Sequence, residues 1–261
     1  MAIRHVVLGY AWIPFVSALV WFGGLIALLS IWTAQGKPRY MPGEGRIVYI
    51  SDVGANQKPL FIVITSVTSV FFVAALAVER YLRHKARLDR NLRRREKWLS
   101  IFAIIFAAGA GACLISLSIR DAFNHDTQHW HFTIGFIILA ALSVLCTTAE
   151  WGWLDSDYES ARMLKASYAV KITVLVLAVI CAIILGALFN SDNHQSVAAV
   201  CEWLVAFLFD VFLWTLVYDL YPAVHTKRIR DLGTGDHYEK ESRSSASGLH
   251  NADPSTASNR V

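Results

Sequence analysis

The chain has 261 residues, of which 55% are hydrophobic and 17% charged, with a formal net charge of +4. Its apolar residues gather into runs of about 20 or more, long enough to cross a bilayer core of roughly 30 Å, which excludes a water-soluble globular fold. The short connections leave no room for a second soluble domain. No Gly-rich phosphate loop, Walker sequence or Gly-x-Ser-x-Gly elbow is present to support a nucleotide-driven machine.

Six spans are predicted, over residues 8–33, 60–79, 98–119, 132–151, 166–189 and 197–220. Residues 1–231 are therefore expected to form one all-α, six-transmembrane helical bundle, and residues 232–261 a disordered cytosolic tail rich in Ser, Asn, Asp and Gly. The first run is longer than a signal-peptide core and lacks a small-residue cleavage site, so it is read as a true span. The two halves show no sequence repeat of the kind inverted-repeat transporters carry.

Lys and Arg set the orientation, because connections rich in them stay in the cytosol. With the N-terminus inside, the basic connection after span two, Arg162, Lys165 and the basic tail all fall on the cytosolic side. Both termini are then cytosolic, and the loops after spans one, three and five lie outside.

The first outer loop contains VYISDVGANQKPL, residues 48–60, which is too polar for either flanking span. Ser51 or Asp52 is expected to cap a short turn, Gly54 to use backbone angles closed to other residues, and Pro59 to open the next helix. The segment reads as a folded lid. After span two, Arg80, Arg83, Lys85, Arg87, Arg90, Arg93, Arg94, Arg95 and Lys97 form a dense basic face. Such a face attracts anionic inner-leaflet lipid at about 1 kcal/mol per residue near the surface, or an acidic partner. Nucleic-acid binding has no support beyond these residues.

In the next outer loop, Asp121, His125, Asp126, His129 and His131 fall within 11 residues of one another. If the loop is helical, Asp121, His125 and His129 share one face, a spacing that suits a divalent ion, a hydrogen-bonded cap over the bundle, or a lipid headgroup. The cap is preferred, and no metal or cofactor is expected.

Ionisable groups inside spans mark interior sites. Glu150 and Lys171 are predicted to form a structural ion pair across the hairpin between spans four and five. Glu202 and Asp210, eight residues apart on span six, lie about 80° apart around a helix and share an interior face. All four cysteines, Cys113, Cys146, Cys181 and Cys201, fall within spans without zinc-finger spacing and read as packing residues. Asp52, Asp121, His125, His129, His131, Glu202 and Asp210 together form the candidate lipid or headgroup site.

YISDVGA followed by KPLFI resembles the FRAG/DRAM/SFK family, also described as the CWH-type N-terminal domain family. ERYLRH, the Asp121-x3-His125-x3-His129 loop, Glu150-Trp151, CEW at Cys201 to Trp203 and DLYPAVHTK at Asp219 to Lys227 support the likeness. The similarity runs from about Trp12 to Lys227 and is strongest to the fungal SFK (suppressor of four kinase) branch. It implies a six-span plasma-membrane protein without catalysis, tied to phospholipid asymmetry, sterol retention and placement of a phosphatidylinositol 4-kinase complex. In other branches it implies vacuolar, lysosomal or endoplasmic reticulum membranes. Distant relatives in GPI-anchor lipid remodelling imply an alternative, an acyl-transferring or hydrolysing enzyme with His129 or His125 as base and Asp121 as orienter. A lipid transporter is the third reading. The implied partners are membrane lipids, anionic phospholipid and sterol among them, and the kinase complex.

Overall fold

A computed structural model describes residues 10–42, 44–85, 94–157, 162–189 and 194–220. The predicted tail and Arg87, Arg90 and Arg93 of the basic connection lie outside the described residues. Among those described, every regular element is a helix: α1 (Trp12–Ala34), α2 (Ile50–Asn56), α3 (Lys58–His84), α4 (Arg94–Ile119), α5 (Asp126–Asp157), α6 (Arg162–Leu188) and α7 (Gln195–Leu220). All but α2 are long and apolar enough to cross a membrane.

The long helices form a ring in chain order. Each packs on its neighbours in sequence, and α7 closes back on α1. The α5–α6 side is the thinnest of these junctions. Consistent with that, only 17% of the apolar window of α6 is buried within the protein.

Between apolar helices in lipid no hydrophobic force drives association, so close approach and interhelical hydrogen bonds must do so. Gly24 on α1 lies so near α3 that an added Cβ would fall 2.6 Å from Ile64 Cγ2. The Ser17 hydroxyl donates to the Thr68 carbonyl, Ser143 to the Ala103 carbonyl, and the Trp21 indole N–H to the Ala206 carbonyl. At the centre, the Phe209 ring takes edge-to-face contacts from Trp21, Phe72 and Phe136 at centroid distances of 5.7, 5.4 and 5.5 Å. Three other helices are thereby keyed to one side chain of α7.

Helix α1 stops where Gly36 and Lys37 turn to positive φ, 82° and 58°, a reversal favoured at glycine. The loop that follows does not cross the end of the bundle loosely. Arg46 N–H donates to Ser196 Oγ, Ile50 N–H to Glu202 Oε2, and the Trp203 indole N–H to the Val48 carbonyl. Residues 46–50 are thus fastened to α7, and Val48 and Val53 are fully buried.

Two local expectations are corrected here. Helix α2 begins at Ile50 after extended Tyr49 and has no side-chain cap bond, so Ser51 and Asp52 are buried in its first turns instead of capping it. Gly54 does not use positive φ. It is small because the Phe61 ring packs against it, and an added Cβ would sit 2.6 Å from Phe61 Cδ1. Pro59 falls in the first turn of α3 as expected, where its missing N–H costs no helical bond.

Candidate functional site

Beneath the fastened loop lies a polar cavity of about 230 Å³, lined from the loop by Glu44, Tyr49 and Asp52, from α5 by Asp126, His129 and Trp130, and from α7 by Gln195 and Glu202. Among the described residues no Lys or Arg lines it. Glu44 and Asp52 are buried, at 8% and 4% exposure, Glu202 is partly buried and Asp126 is exposed at the mouth. Glu44 Oε2 accepts the Tyr40 N–H at 2.6 Å, and the Glu44 carboxyl also shares a hydrogen bond with that of Asp52. Burial, the Glu44 carboxyl beside it and the nearby charges of Glu202 and Asp126 push Asp52 up to about 9. Tyr49 is likewise raised, first by burial and then by Glu202, Asp52 and Glu44. Like charges collected in a desolvated space favour a proton or a cation there.

His129 is buried at the cavity wall with Nδ1 2.9 Å from both the Leu117 and Arg120 carbonyl oxygens. Two acceptors at one nitrogen place the proton on Nδ1, so in the neutral ring Nε2 carries the lone pair.

A second space lies beside the cavity. Trp130 and Leu185 line both it and an apolar groove of about 800 Å³ that runs along the α5–α6 junction, with Phe209 and Phe212 of α7 among its walls. At the shared rim, the Trp130 ring stacks on Phe189 with centroids 3.8 Å apart. A polar chamber at the bundle end thus adjoins an apolar groove, with Trp130 and Leu185 as the walls they share.

Of the residues singled out by sequence, Asp52, His129 and Glu202 meet in this cavity. The others lie elsewhere. Asp121 accepts from Lys58 Nζ at 2.6 Å and from Asn124 N and Nδ2 at 2.9 Å. Burial alone would raise Asp121, but these donors hold it at about 2. The stretch from Asp121 to His125 is a turn, with α5 starting at Asp126, so Asp121 does not share a helical face with the histidines. Carbonyl oxygens, not Asp121, orient His129. His131 is exposed and, like His125, does not line the cavity. Among the described residues no group of three or more His, Cys, Asp or Glu is placed to hold a metal ion. Asp210 is buried lower in α7, where its Oδ2 accepts the Trp214 indole N–H at 3.2 Å.

At the opposite end, Glu150 and Lys171 are both held in ion pairs that reach α3 and α7. Lys171 meets Asp219 of α7, which also accepts from Ser167, and Glu150 lies 3.6 Å from Arg83 Nε. Arg83 also pairs with Glu79 at 2.8 Å and is only 2% exposed, so it is withdrawn from the basic surface predicted to include it. Arg80 donates to the Lys97 carbonyl at 2.9 Å, which ties α3 to α4, while Lys85, Arg95 and Lys97 are exposed.

Glu44, Asp126, Tyr49 and Gln195 were not among the predicted site residues, nor were Glu79 and Asp219 among the interior ions. Asp126 stood within the Asp/His loop, and Glu44 is an acid between glycines in Pro-Gly-Glu-Gly.

A helical, multi-pass membrane protein with a loop cap over an acidic chamber and an apolar seam beside it is the class this architecture defines. Residues 9–223 match the family described as Frag1/DRAM/Sfk1/Cwh43P N-terminal domain, and the chain belongs to that family. It is 38% identical over 211 residues to Protein sfk1 of Schizosaccharomyces pombe, covering 81% of this chain and 63% of that protein, which is less than two thirds of its length. It is 26% identical over 278 aligned residues to Protein SFK1 of Saccharomyces cerevisiae, covering 80% of this chain and 77% of that protein. No solved structure matches.

Proposed function

We propose that this chain is a non-catalytic organiser of plasma-membrane lipid that works by holding a lipid in the α5–α6 groove with its head under the loop cap. The observation that carries this reading is that the polar cavity and the apolar groove adjoin, sharing Trp130 and Leu185 as walls. An amphiphile needs both environments side by side, and a solute path needs neither the length nor the oiliness of the groove. The cap faces the exterior and both termini the cytosol, as the distribution of Lys and Arg supports. Family membership supports the broader roles: phospholipid asymmetry, sterol retention and placement of a phosphatidylinositol 4-kinase complex. On the cytosolic face Lys85, Arg95 and Lys97 are exposed to meet anionic lipid or that complex.

Gly186 provides the test. It lines the groove, and an added Cβ meets nothing within 4 Å. Gly186→Trp therefore starts from a Cβ that meets no neighbour and places an indole in the groove. The variant is expected to fold, to lose lipid that co-purifies with the parent protein, and to expose inner-leaflet phospholipid on intact cells. Unchanged lipid content and leaflet distribution would remove the reading.

One observation favours an enzyme as the second reading: the fixed Nδ1 proton of His129 leaves Nε2 as a candidate base beside buried carboxyls. His129→Ala would then abolish turnover of a lipid ester by the purified protein, whereas the organiser has no such turnover to lose.

A further inference from the structure

We propose that the cavity under the cap receives the primary ammonium of a phospholipid whose acyl chains lie in the α5–α6 groove, making an ethanolamine headgroup the preferred one. This rests on the groove reading above and adds the chemistry of the head. Glu44, Asp52, Asp126 and Glu202 all line the cavity, and among the described residues no Lys or Arg does. An anionic head is therefore repelled, and a neutral sugar or glycerol head offers hydroxyl donors but no positive charge to the carboxylates.

The choice between a primary and a quaternary ammonium follows from hydrogen bonding. Glu44 is more than nine-tenths buried, lines the cavity, and shares a hydrogen bond with Asp52 through the proton that Asp52 retains. Once a cation displaces that proton, both buried carboxylates need donors, each costing about 1–3 kcal/mol if left empty, and a head that carries N–H groups supplies donors together with charge. Choline has none. Gln195 Oε1 already accepts from the Tyr49 hydroxyl, so the unmet acceptor capacity lies with the carboxylates. The aromatic rim of Trp130, Phe189 and Tyr49 adds faces that attract a cation. The lipid phosphate, which the carboxylates repel, stays toward the mouth, and the chains continue past Trp130 into the groove.

The arrangement also ties binding to a proton. Glu44 and Tyr49 from the loop, Asp126 and His129 from α5, and Glu202 from α7 all face the space around Asp52. An ammonium seated among them replaces the proton that Asp52 otherwise retains, so affinity rises as pH is raised toward about 9.

The test uses the full chain in nanodiscs, titrated with short-chain phosphatidylethanolamine, phosphatidylcholine and phosphatidylglycerol and read by Trp fluorescence, with glycerophosphoethanolamine as a chain-free probe. Preference for ethanolamine over both other heads by about tenfold is expected, falling to near equality in Glu44→Gln. Asp126→Asn, whose side chain is exposed and whose replacement threatens no packing, is expected to lower the preference in the same direction. Equal binding of all three lipids, or a head preference retained in both Glu44→Gln and Asp126→Asn, would overturn the proposal while leaving a lipid-filled groove intact. Glycerophosphoethanolamine binding as tightly as the lipid would instead remove the groove reading on which the proposal rests. No binding of any lipid to the parent protein would sink both readings at once.

Discussion

At the connection end of the bundle, Glu79, Glu150 and Asp219 are buried beside Arg83 and Lys171, whereas at the cap end Glu44 and Asp52 are buried beside Glu202 with no Lys or Arg among the described residues lining the cavity. The same residue type meets the same problem, a carboxyl removed from water, and the chain solves it differently at each end. One end is packed, with three carboxyls paired to Arg83 and Lys171, the ions being drawn from α3, α5, α6 and α7. The other is hollow and acidic, its loop held in place by hydrogen bonds to α7. Paired ions in low dielectric tie helices to one another, and removing either partner leaves a buried charge uncompensated.

Neutralising one partner at each end should therefore have opposite consequences. Lys171→Met leaves Asp219 buried and uncompensated, and is expected to cost about 3–5 kcal/mol in unfolding of the purified protein. Adding Asp219→Leu should return much of that loss, since the pair as a whole is replaceable where either half alone is not. A double variant as unstable as Lys171→Met alone would mean that Asp219 is held by more than its lysine.

The cap is expected to be broken next most severely by Gly45→Ala. A Cβ there would lie 2.1 Å from Ser196 Oγ and 2.7 Å from Ser196 N, so the loop must lift from α7. Overpacking of this kind costs about 1–3 kcal/mol, and faster amide exchange at Ile50 would report it.

A smaller effect separates the ends by pH. Asp52 titrates near 3.8 in an unfolded segment and about 9 in the closed cap. Its contribution to closure is full below 3.8 and is lost as pH rises through about 9, because the open form takes on charge that the closed form resists. Asp52→Asn should flatten that decline, measured as cap protection against pH. Were protection to fall with pH equally in Asp52→Asn, the decline would have to come from another group.

The smallest effect is expected at Lys58. Its side chain is 38% exposed, so the bond to Asp121 is partly screened and Lys58→Met should cost no more than about 1 kcal/mol. Because Asp121 is held at about 2, what the pair contributes is present above pH 3.8 and disappears as pH falls through about 2.

The six long helices were legible because a bilayer imposes a length and a solvent that composition alone records. Helix α3 continues five residues past the span limit at Glu79, as a helix extending beyond the membrane would, with Glu79 and Arg83 paired one turn apart and both buried. Helix α5 begins at Asp126 and not near 132, since its first turns are polar and helical above the oily zone. At the site, Asp52, His129 and Glu202 were recognisable as polar residues out of place. Glu44 gave no such signal, because a loop carboxylate is ordinary until the chain folds it inward. Asp219 was passed over for a related reason, as a charge at a span end is ordinary unless it is known to face Lys171.

The fastening of residues 46–50 to α7 joins positions about 150 apart in the chain. During synthesis, α1 and α3 are made long before Ser196, Glu202 and Trp203 leave the ribosome, so the lid stays unlatched until α7 is inserted. A chain stopped before Ser196 would carry residues 46–50 without the bonds that fasten them.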